Sequence, residues 1–241
     1  MKILITNDDG IYADGLLRLV EWSRRLGDVT VVAPKYEQSG RSHGIVLNKS
    51  YEIRKSDVFD YLSVRSYSVD ASPADCVRFT VDKIGDDFDI LFSGINNGFN
   101  LGHDIAYSGT CGAAFEANYC DIKAVAFSTD KGDIEKASGR LDEVWKHISD
   151  NGYLSVSTFL NVNIPAEMQG IKVTEQGGAF IRDHFVMTGD DMYKAQAYMK
   201  KDMSIGFDLR YDTDAVLSGY CSVTPLSVNR TDREAFSKMS V

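Results

Sequence analysis

The run Ile3-Leu4-Ile5, cut off at once by Asn7-Asp8-Asp9-Gly10, limits most strongly what this chain can fold into. A short apolar run with β-branched residues is the pattern of a strand covered on both faces, as in the middle of a parallel sheet. Two adjacent carboxylates at the mouth of such a strand repel each other, and in a low dielectric they cannot both stay charged without a partner. A divalent cation is the simplest partner, and Mg2+ or Mn2+ favours oxygen ligands of this kind. Gly10 allows a sharp turn, so that Asp8 and Asp9 can converge. In open α/β sheets, ligands bind in the crevice at the carboxyl ends of the strands. A plain polar turn capping a helix is the competing reading of the same four residues.

The next segments extend the parallel sheet. Residues 15–27 carry Leu16, Leu19, Val20, Ser23 and Leu26 at helical spacing, with Gly27 placed to end the helix. Val29 to Pro34 is a second buried strand, and a right-handed crossover puts the loop 35–42, with Ser39, on the same edge as Asp8 and Asp9. Ile45-Val46-Leu47, residues 51–53 and residues 61–67 read as short strands of an antiparallel excursion. Ser72-Pro73-Ala74-Asp75 is a helix start with a hydroxyl cap, and the helix should run to Ile84 with Cys76 in the core. Phe88 to Ser93 is another strand, and its exit contains Asn96, whose amide oxygen can coordinate a hard cation without adding charge. Ser108-Gly109-Thr110 opens a helix packed through Gly112, Ala113 and Ala114. Such a start suits a phosphate, although a simple helix cap also explains it. Residues 124–128 and 159–164 read as strands and 134–148 as one helix. Beyond Lys172 the Gly177-Gly178, Gly189-Asp190-Asp191 and Lys200-Lys201-Asp202 clusters indicate loops and hairpins, before residues 215–226 return as helix and strand.

The net charge of -9 and the lack of a basic tract argue against a long nucleic-acid partner. No signal peptide or membrane span is visible, because the N-terminal apolar run is far too short. Cys76, Cys111, Cys120 and Cys221 form no CxxC pair, so the expectation is reduced thiols in a cytoplasmic protein. The four histidines show no zinc-type spacing, and neither a GxSxG elbow nor a Walker loop is present. His43 and His103 fall in loops at the candidate edge, where a lone histidine is usually only a polar residue, and His147 reads as helix surface. Asp8, Asp9, Ser39 and Asn96, with waters, make a six-coordinate Mg2+ or Mn2+ site that leaves room for a phosphate oxygen.

The chain resembles the SurE (stationary-phase survival protein) nucleotidases. The likeness is carried by Ile5-Thr6-Asn7-Asp8-Asp9-Gly10, by Val32-Ala33-Pro34 with Gln38-Ser39-Gly40, and by Pro73-Ala74-Asp75-Cys76-Val77. Ser93-Gly94-Ile95-Asn96 through Asn100-Leu101-Gly102, Tyr107-Ser108-Gly109-Thr110 and Gly112-Ala113-Ala114 give the longest match, and Asn161 to Pro165 and Gly219 to Leu226 also fit. The resemblance implies a three-layer αβα sandwich on a mostly parallel, Rossmann-like sheet. A β-rich C-terminal extension of about residues 174–241 within the single domain would build a homodimer or homotetramer. It implies a metal-dependent phosphatase acting on nucleoside 5'- and 3'-monophosphates, with some members also trimming short polyphosphate. In that pattern Asp8, Asp9, Ser39 and Asn96 match the ligands of one divalent cation per subunit, and Asp8 and Asp9 are the catalytic pair. Asn100 and Ser108-Gly109-Thr110 match residues near the phosphate, and Asn7 is placed with them as a substrate contact. The chain departs from the family between Thr174 and Asp212, where an Asp-Pro-Arg-Gly run is missing, and at Ala71-Ser72-Pro73, where Gly-Thr-Pro is usual.

Two other classes compete. A receiver-like Mg2+ and phosphate sensor also clusters acids at a strand mouth, but it is far shorter and needs an acid where Ser93 stands. A nucleotidyl or sugar transferase also holds a metal with paired acids. Whether a carboxylate such as Asp8 acts as base or as nucleophile is left open by the residues alone.

Overall fold

The computed structural model describes residues 1–179, 181–199 and 206–239 of the chain. β1 (Lys2–Thr6) is the strand expected from its apolar run, and Ile3 to Thr6 are wholly buried. Helix α1 (Asp14–Ser23) lays Leu16, Leu19, Val20 and Trp22 into the core, and stops a turn earlier than the apolar spacing suggests. β2 (Asp28–Pro34) then pairs parallel with β1, completing the strand–helix–strand unit.

The excursion that follows is smaller than expected. Only β3 (Ile53–Ser56) and β4 (Arg65–Val69) form: β3 is antiparallel to β4, while β4 itself runs parallel to β2. Ile45-Val46-Leu47 is not a strand. Ile45 and Leu47 are 39% and 65% exposed and only Val46 tucks against the core, so the run has no covered face to pair on. Helix α2 (Pro73–Lys83) starts as predicted. Ser72 Oγ accepts from Asp75 N at 3.1 Å and Asp75 Oδ2 accepts from Ser72 N at 3.4 Å, a reciprocal cap of the kind that contributes about 1 kcal/mol.

β5 (Ile90–Asn97), α3 (Gly109–Tyr119) and β6 (Lys123–Thr129) continue the alternation. The single helix expected over 134–148 divides into α4 (Ile134–Ser138) and α5 (Leu141–Asp150), with Gly139 and Arg140 between them. The rest comprises α6 (Tyr153–Val156), β7 (Phe159–Ile164), β8 (Gly170–Val173), β9 (Ile181–Gly189), β10 (Met192–Met199), α7 (Asp212–Leu217), β11 (Tyr220–Pro225) and α8 (Arg233–Met239). The Gly189-Asp190-Asp191 cluster forms the turn of the β9–β10 hairpin, a separate two-stranded antiparallel sheet. The Lys200-Lys201-Asp202 cluster lies outside the described residues.

The main sheet has nine strands in the order β3-β4-β2-β1-β5-β6-β7-β11-β8. It is parallel except where β3 meets β4 and β11 meets β7. Alternation along the strands divides the core into two layers. Ile3, Ile5 and Phe92 face α1, α4 and α5, while Leu4 and Leu91 face α2 and α3 with Cys76 and Ala113. The result is the expected three-layer α/β sandwich with an antiparallel hairpin added towards the C-terminus. All four cysteines are free thiols. β2 lies on one side of β1 and β5 on the other, so the chain reverses direction across the sheet at β1. The crevice beyond the ends of β1 and β5 is therefore the position where such sheets take ligands.

Candidate active site

Asp8 and Asp9 leave β1 at that crevice, and Gly10, with φ of 99°, turns the chain away behind them. The N–H of Gln38 donates to the Asp8 carbonyl at 2.7 Å, which brings Ser39 from the loop after β2 to the same place. A register shift between Ser93 and Asn96 where β5 pairs with β6 bends the end of β5. Asn96 and Asn97 thereby reach the mouth. Asp8, Asp9, Ser39, Asn96, Asn100 and Ser108 all line one cavity of about 530 Å³.

Asp8 is almost fully buried, and α3 begins directly against it. A Cβ on Gly109 would stand 2.9 Å from Asp8 Oδ2 and from its Cβ, so only glycine allows this approach. Thr110 Oγ1 donates to Asp8 Oδ1 at 2.6 Å, and the Thr110 backbone N–H donates to the same carboxylate. Burial pushes the Asp8 carboxyl up to about 6; the Thr110 hydroxyl pulls the other way, and the charge of Asp9 adds to the rise. Asp9 is raised as well, chiefly by burial, opposed by a 3.3 Å bond from Asn97 N and assisted by the nearby Glu37.

The neutral donors are held in fixed orientations. Asn96 Nδ2 donates to the Gly98 carbonyl at 2.7 Å, which leaves its amide oxygen for a cation. Ser39 Oγ donates to Glu37 Oε1 at 2.6 Å. Asn100 is locked by four bonds: its N–H to Asn163 Oδ1, its Nδ2 to Ser128 Oγ, and its carbonyl from both Asn161 Nδ2 and Asn163 Nδ2. Among the described residues no three His, Cys, Asp or Glu side chains gather to hold a metal, and the oxygen set here is completed by neutral donors. Two carboxylates that burial makes costly to ionise, with a hydroxyl and an amide oxygen beside them, fit a hard divalent cation.

Three residues expected at the phosphate lie elsewhere. Thr110 is fully buried with its hydroxyl on Asp8, and Gly109 packs behind that carboxylate; of the turn, only Ser108 reaches the cavity. The donors of Thr110 meet an anion there already, and that anion is Asp8. Asn7 is also fully buried, with its Nδ2 on the Gly10 carbonyl, where it braces the turn. His43 pairs with Glu116 at 2.6 Å outside the cavity, and His103 does not line it either.

Sequence reasoning missed several members. Glu37, Asp104, Tyr107 and Lys131 line the cavity; Glu37 and Lys131 lie in loops and Asp104 and Tyr107 in the short 3-10 helix Gly102–Tyr107, all in connections that follow strands of the sheet, which is the signal that could have found them. Asn161 and Asn163 betray themselves as polar residues two apart in an otherwise apolar strand. Asp212, wholly buried at the start of α7, accepts from Gly102 N at 3.0 Å, Gly177 N at 2.7 Å and Thr213 N at 2.7 Å. It fastens the loop after Asn100 to the root of the hairpin.

Comparison with known proteins agrees with this architecture. The sequence model of the family described as "Survival protein SurE" matches residues 3–183. A protein of Alkaliphilus metalliredigens named 5'-nucleotidase SurE is 34% identical, over 99% of this chain and 97% of its own length. One of the same name from Caldanaerobacter subterraneus is 38% identical, over 99% of this chain and 96% of its own. The crystal structure of the SurE protein from Aquifex aeolicus superposes with a TM-score of 0.83 at 31% identity, covering 100% of this chain and 98% of that one. On the strength of the sheet order, the acidic pair at its reversal point and matches that run the whole length of the sequence, the chain belongs to the SurE family.

Proposed function

We propose that this chain is a divalent-metal-dependent phosphomonoesterase that converts nucleoside 5'-monophosphates, and 3'-monophosphates, to nucleoside and phosphate, with short polyphosphate as a further substrate. The observation that carries the reading is the convergence of Asp8, Asp9, Ser39 and Asn96, from three strand ends, in one cavity. The names of the full-length relatives support the nucleotide substrate.

Asp8, Asp9, Ser39 and Asn96 would hold one Mg2+ or Mn2+. When bound, the ion supplies positive charge for a phosphate oxygen and lowers the pKa of a water. The protein's own groups do the rest. The Thr110 hydroxyl fixes the Asp8 carboxylate through Oδ1 and favours its ionised form. That leaves Oδ2 to accept a proton from the attacking water, and Asp8 is assigned this role as general base. Asn97 N–H holds Asp9 in place. Asn100 and Ser108 present fixed polar groups to the phosphate, while Phe99, Tyr107 and Ile181 offer apolar surface on the same cavity for the nucleoside.

The direct test is phosphate release from nucleoside 5'- and 3'-monophosphates and short polyphosphate, with Mg2+ or Mn2+ and with chelator. Release that EDTA abolishes and either ion restores is the expected result. Full activity in metal-free protein, or no release from any nucleotide, would sink the reading.

We also assign this chain to a homodimer or homotetramer of the cytoplasm. Phe185, Met187, Met192 and Tyr193 stand 56% to 71% exposed on the β9–β10 hairpin, a surface better suited to a second copy than to water. The four free cysteines suit a reducing compartment, and among the described residues no helix is long and apolar enough to cross a membrane.

A further inference from the structure

The walls of the cavity carry a charge problem. Asp8, Asp9, Glu37 and Asp104 are all carboxylates, whereas the proposed substrate brings a phosphate dianion. One divalent cation offsets part of that repulsion. The start of α3 gives limited help, because Thr110 gives both its hydroxyl and its N–H to Asp8 and Cys111 N is taken by Ser108 Oγ, and any donor left there is neutral. A phosphate held by the metal would still turn its remaining oxygens towards an acidic wall.

Lys131 is the one basic side chain among the described residues that line the cavity. It follows β6, on the same sheet edge as Asp8 and Asn96. Two bonds set the turn that carries it: Lys131 N donates to Asp130 Oδ1 at 2.8 Å, and Gly132 N donates to Asn97 Oδ1 at 2.8 Å. Asn97 in turn donates its own N–H to Asp9. A continuous path of hydrogen bonds therefore fixes the base of Lys131 relative to the acidic pair. The side chain itself is exposed, and no ion pair engages it among the described residues, whereas Lys35, Lys136 and Lys146 are each tied to a carboxylate.

We infer that Lys131 binds the phosphate of the substrate, and that this cation, supplied by the loop after β6, completes the charge balance which the metal and the start of α3 leave unfinished. The inference rests on the phosphomonoesterase reading and adds to it a specific contact. A long, exposed ammonium is a mobile point charge, so it attracts phosphate in the ground state about as well as in the transition state. Its loss should therefore appear in KM more than in kcat.

The test is Lys131→Met, with Lys131→Arg beside it and Lys136→Met as a charge control outside the cavity. With the Mn2+-loaded protein, Lys131→Met should raise KM for a nucleoside monophosphate and the Ki of inorganic phosphate by about tenfold, the factor for one charge-assisted hydrogen bond, with kcat changed far less. Inhibition by the free nucleoside, which lacks the phosphate, should not move. Lys131→Arg should restore most of the affinity, and Lys136→Met should match the wild type. Titration calorimetry with inorganic phosphate reads the same contact without turnover, so it stands even if nucleotides prove not to be substrates. Lys131→Met that binds phosphate within twofold of the wild type would overturn the inference. So would a rise in nucleoside Ki with phosphate Ki unchanged, a failure of arginine to rescue, or wild-type protein that binds no phosphate.

Discussion

The strand end at Asp8 and the hairpin β9–β10 are opposite uses of β structure. β1 is covered on both faces, paired on both edges and ends in groups that burial holds in unfavourable charge states. The hairpin has one pairing edge per strand, and all nine residues of β9 are exposed. A lone two-stranded ribbon is marginal in water, so the hairpin gains its stability from its root and from whatever covers it. The body can thus carry a destabilising acidic pair because many buried contacts surround it. The hairpin carries no such reserve and has no strained chemistry to hold.

Substitution at the acidic pair should produce the largest effect. Asp8→Asn keeps the shape but removes the charge and the proton acceptor, and turnover at saturating Mn2+ should fall by about a hundredfold to a thousandfold. Near-normal turnover in steady-state kinetics would show that Asp8 is not the catalytic centre.

The same substitution should stabilise the metal-free protein. Asp8 has its carboxyl pushed up from 3.8 to about 6 in the folded state, so the native protein binds a proton more tightly than the unfolded chain does. Stability from this group is present below pH 3.8 and is lost as the pH rises to about 6, by roughly 3 kcal/mol at 1.36 kcal/mol per unit. Asp9 is raised too and acts in the same direction. Thermal melts of metal-free protein between pH 4 and pH 7 should show this decline, and Asp8→Asn should flatten it. Adding Mn2+ should raise Tm more at pH 7 than at pH 5. An identical pH profile in wild type and variant would contradict the assignment of strain to Asp8.

The hairpin should respond in assembly and not in chemistry. Phe185→Ser with Met187→Ser removes two exposed apolar side chains that do not line the cavity, and should weaken self-association by about thirtyfold, on the scale of an interface hot spot. Phosphate release per chain should stay within a few-fold. Light scattering showing a monomer for the wild type at micromolar concentration would break this half of the comparison.

Thr110→Val gives the smallest and most diagnostic change. It removes the hydroxyl that lowers the Asp8 carboxyl, so protons compete better with the cation. Mn2+ affinity should drop about tenfold near pH 6 and much less at pH 8, measured by calorimetry. An equal loss at both pH values would indicate a lost structural contact instead.

How much of this was legible follows from where each signal lies. β1, β2 and the start of α2 obey local rules: an apolar run, a proline stop, and a cap whose two partners are three residues apart. Ile45-Val46-Leu47 misleads because apolarity alone does not reveal that nothing covers it. β9 and β10 were expected only as part of a hairpin-rich region, since strands exposed on both faces show no alternation. At the site, Asp8, Asp9, Ser39 and Asn96 declare themselves by chemistry at strand ends. The part of Thr110 does not: its sequence context is that of a phosphate-binding turn, and only the tertiary approach through Gly109 turns its donors to Asp8. Asp212 gave no local signal either, because its partners Gly102 and Gly177 lie far along the chain, and Lys131 offered only its place in a loop after a strand.

The Asp212 clasp has a consequence for how this protein tolerates change. Glu175 N bonds to the Arg210 carbonyl and Asp212 N to the Glu175 carbonyl, so the segment that includes the hairpin leaves and re-enters the body at nearly one point. With its ends fastened there by a buried carboxylate, the segment between is an appendix in the mechanical sense. Doubling the length of such a closed excursion costs only about 0.6 kcal/mol in chain entropy. Insertions at the hairpin tip, at Asp190 and Asp191, should be absorbed without disturbing Asn100 or Ile181, whereas a single change at Asp212 would loosen the loop after Asn100 and the root of the hairpin at once.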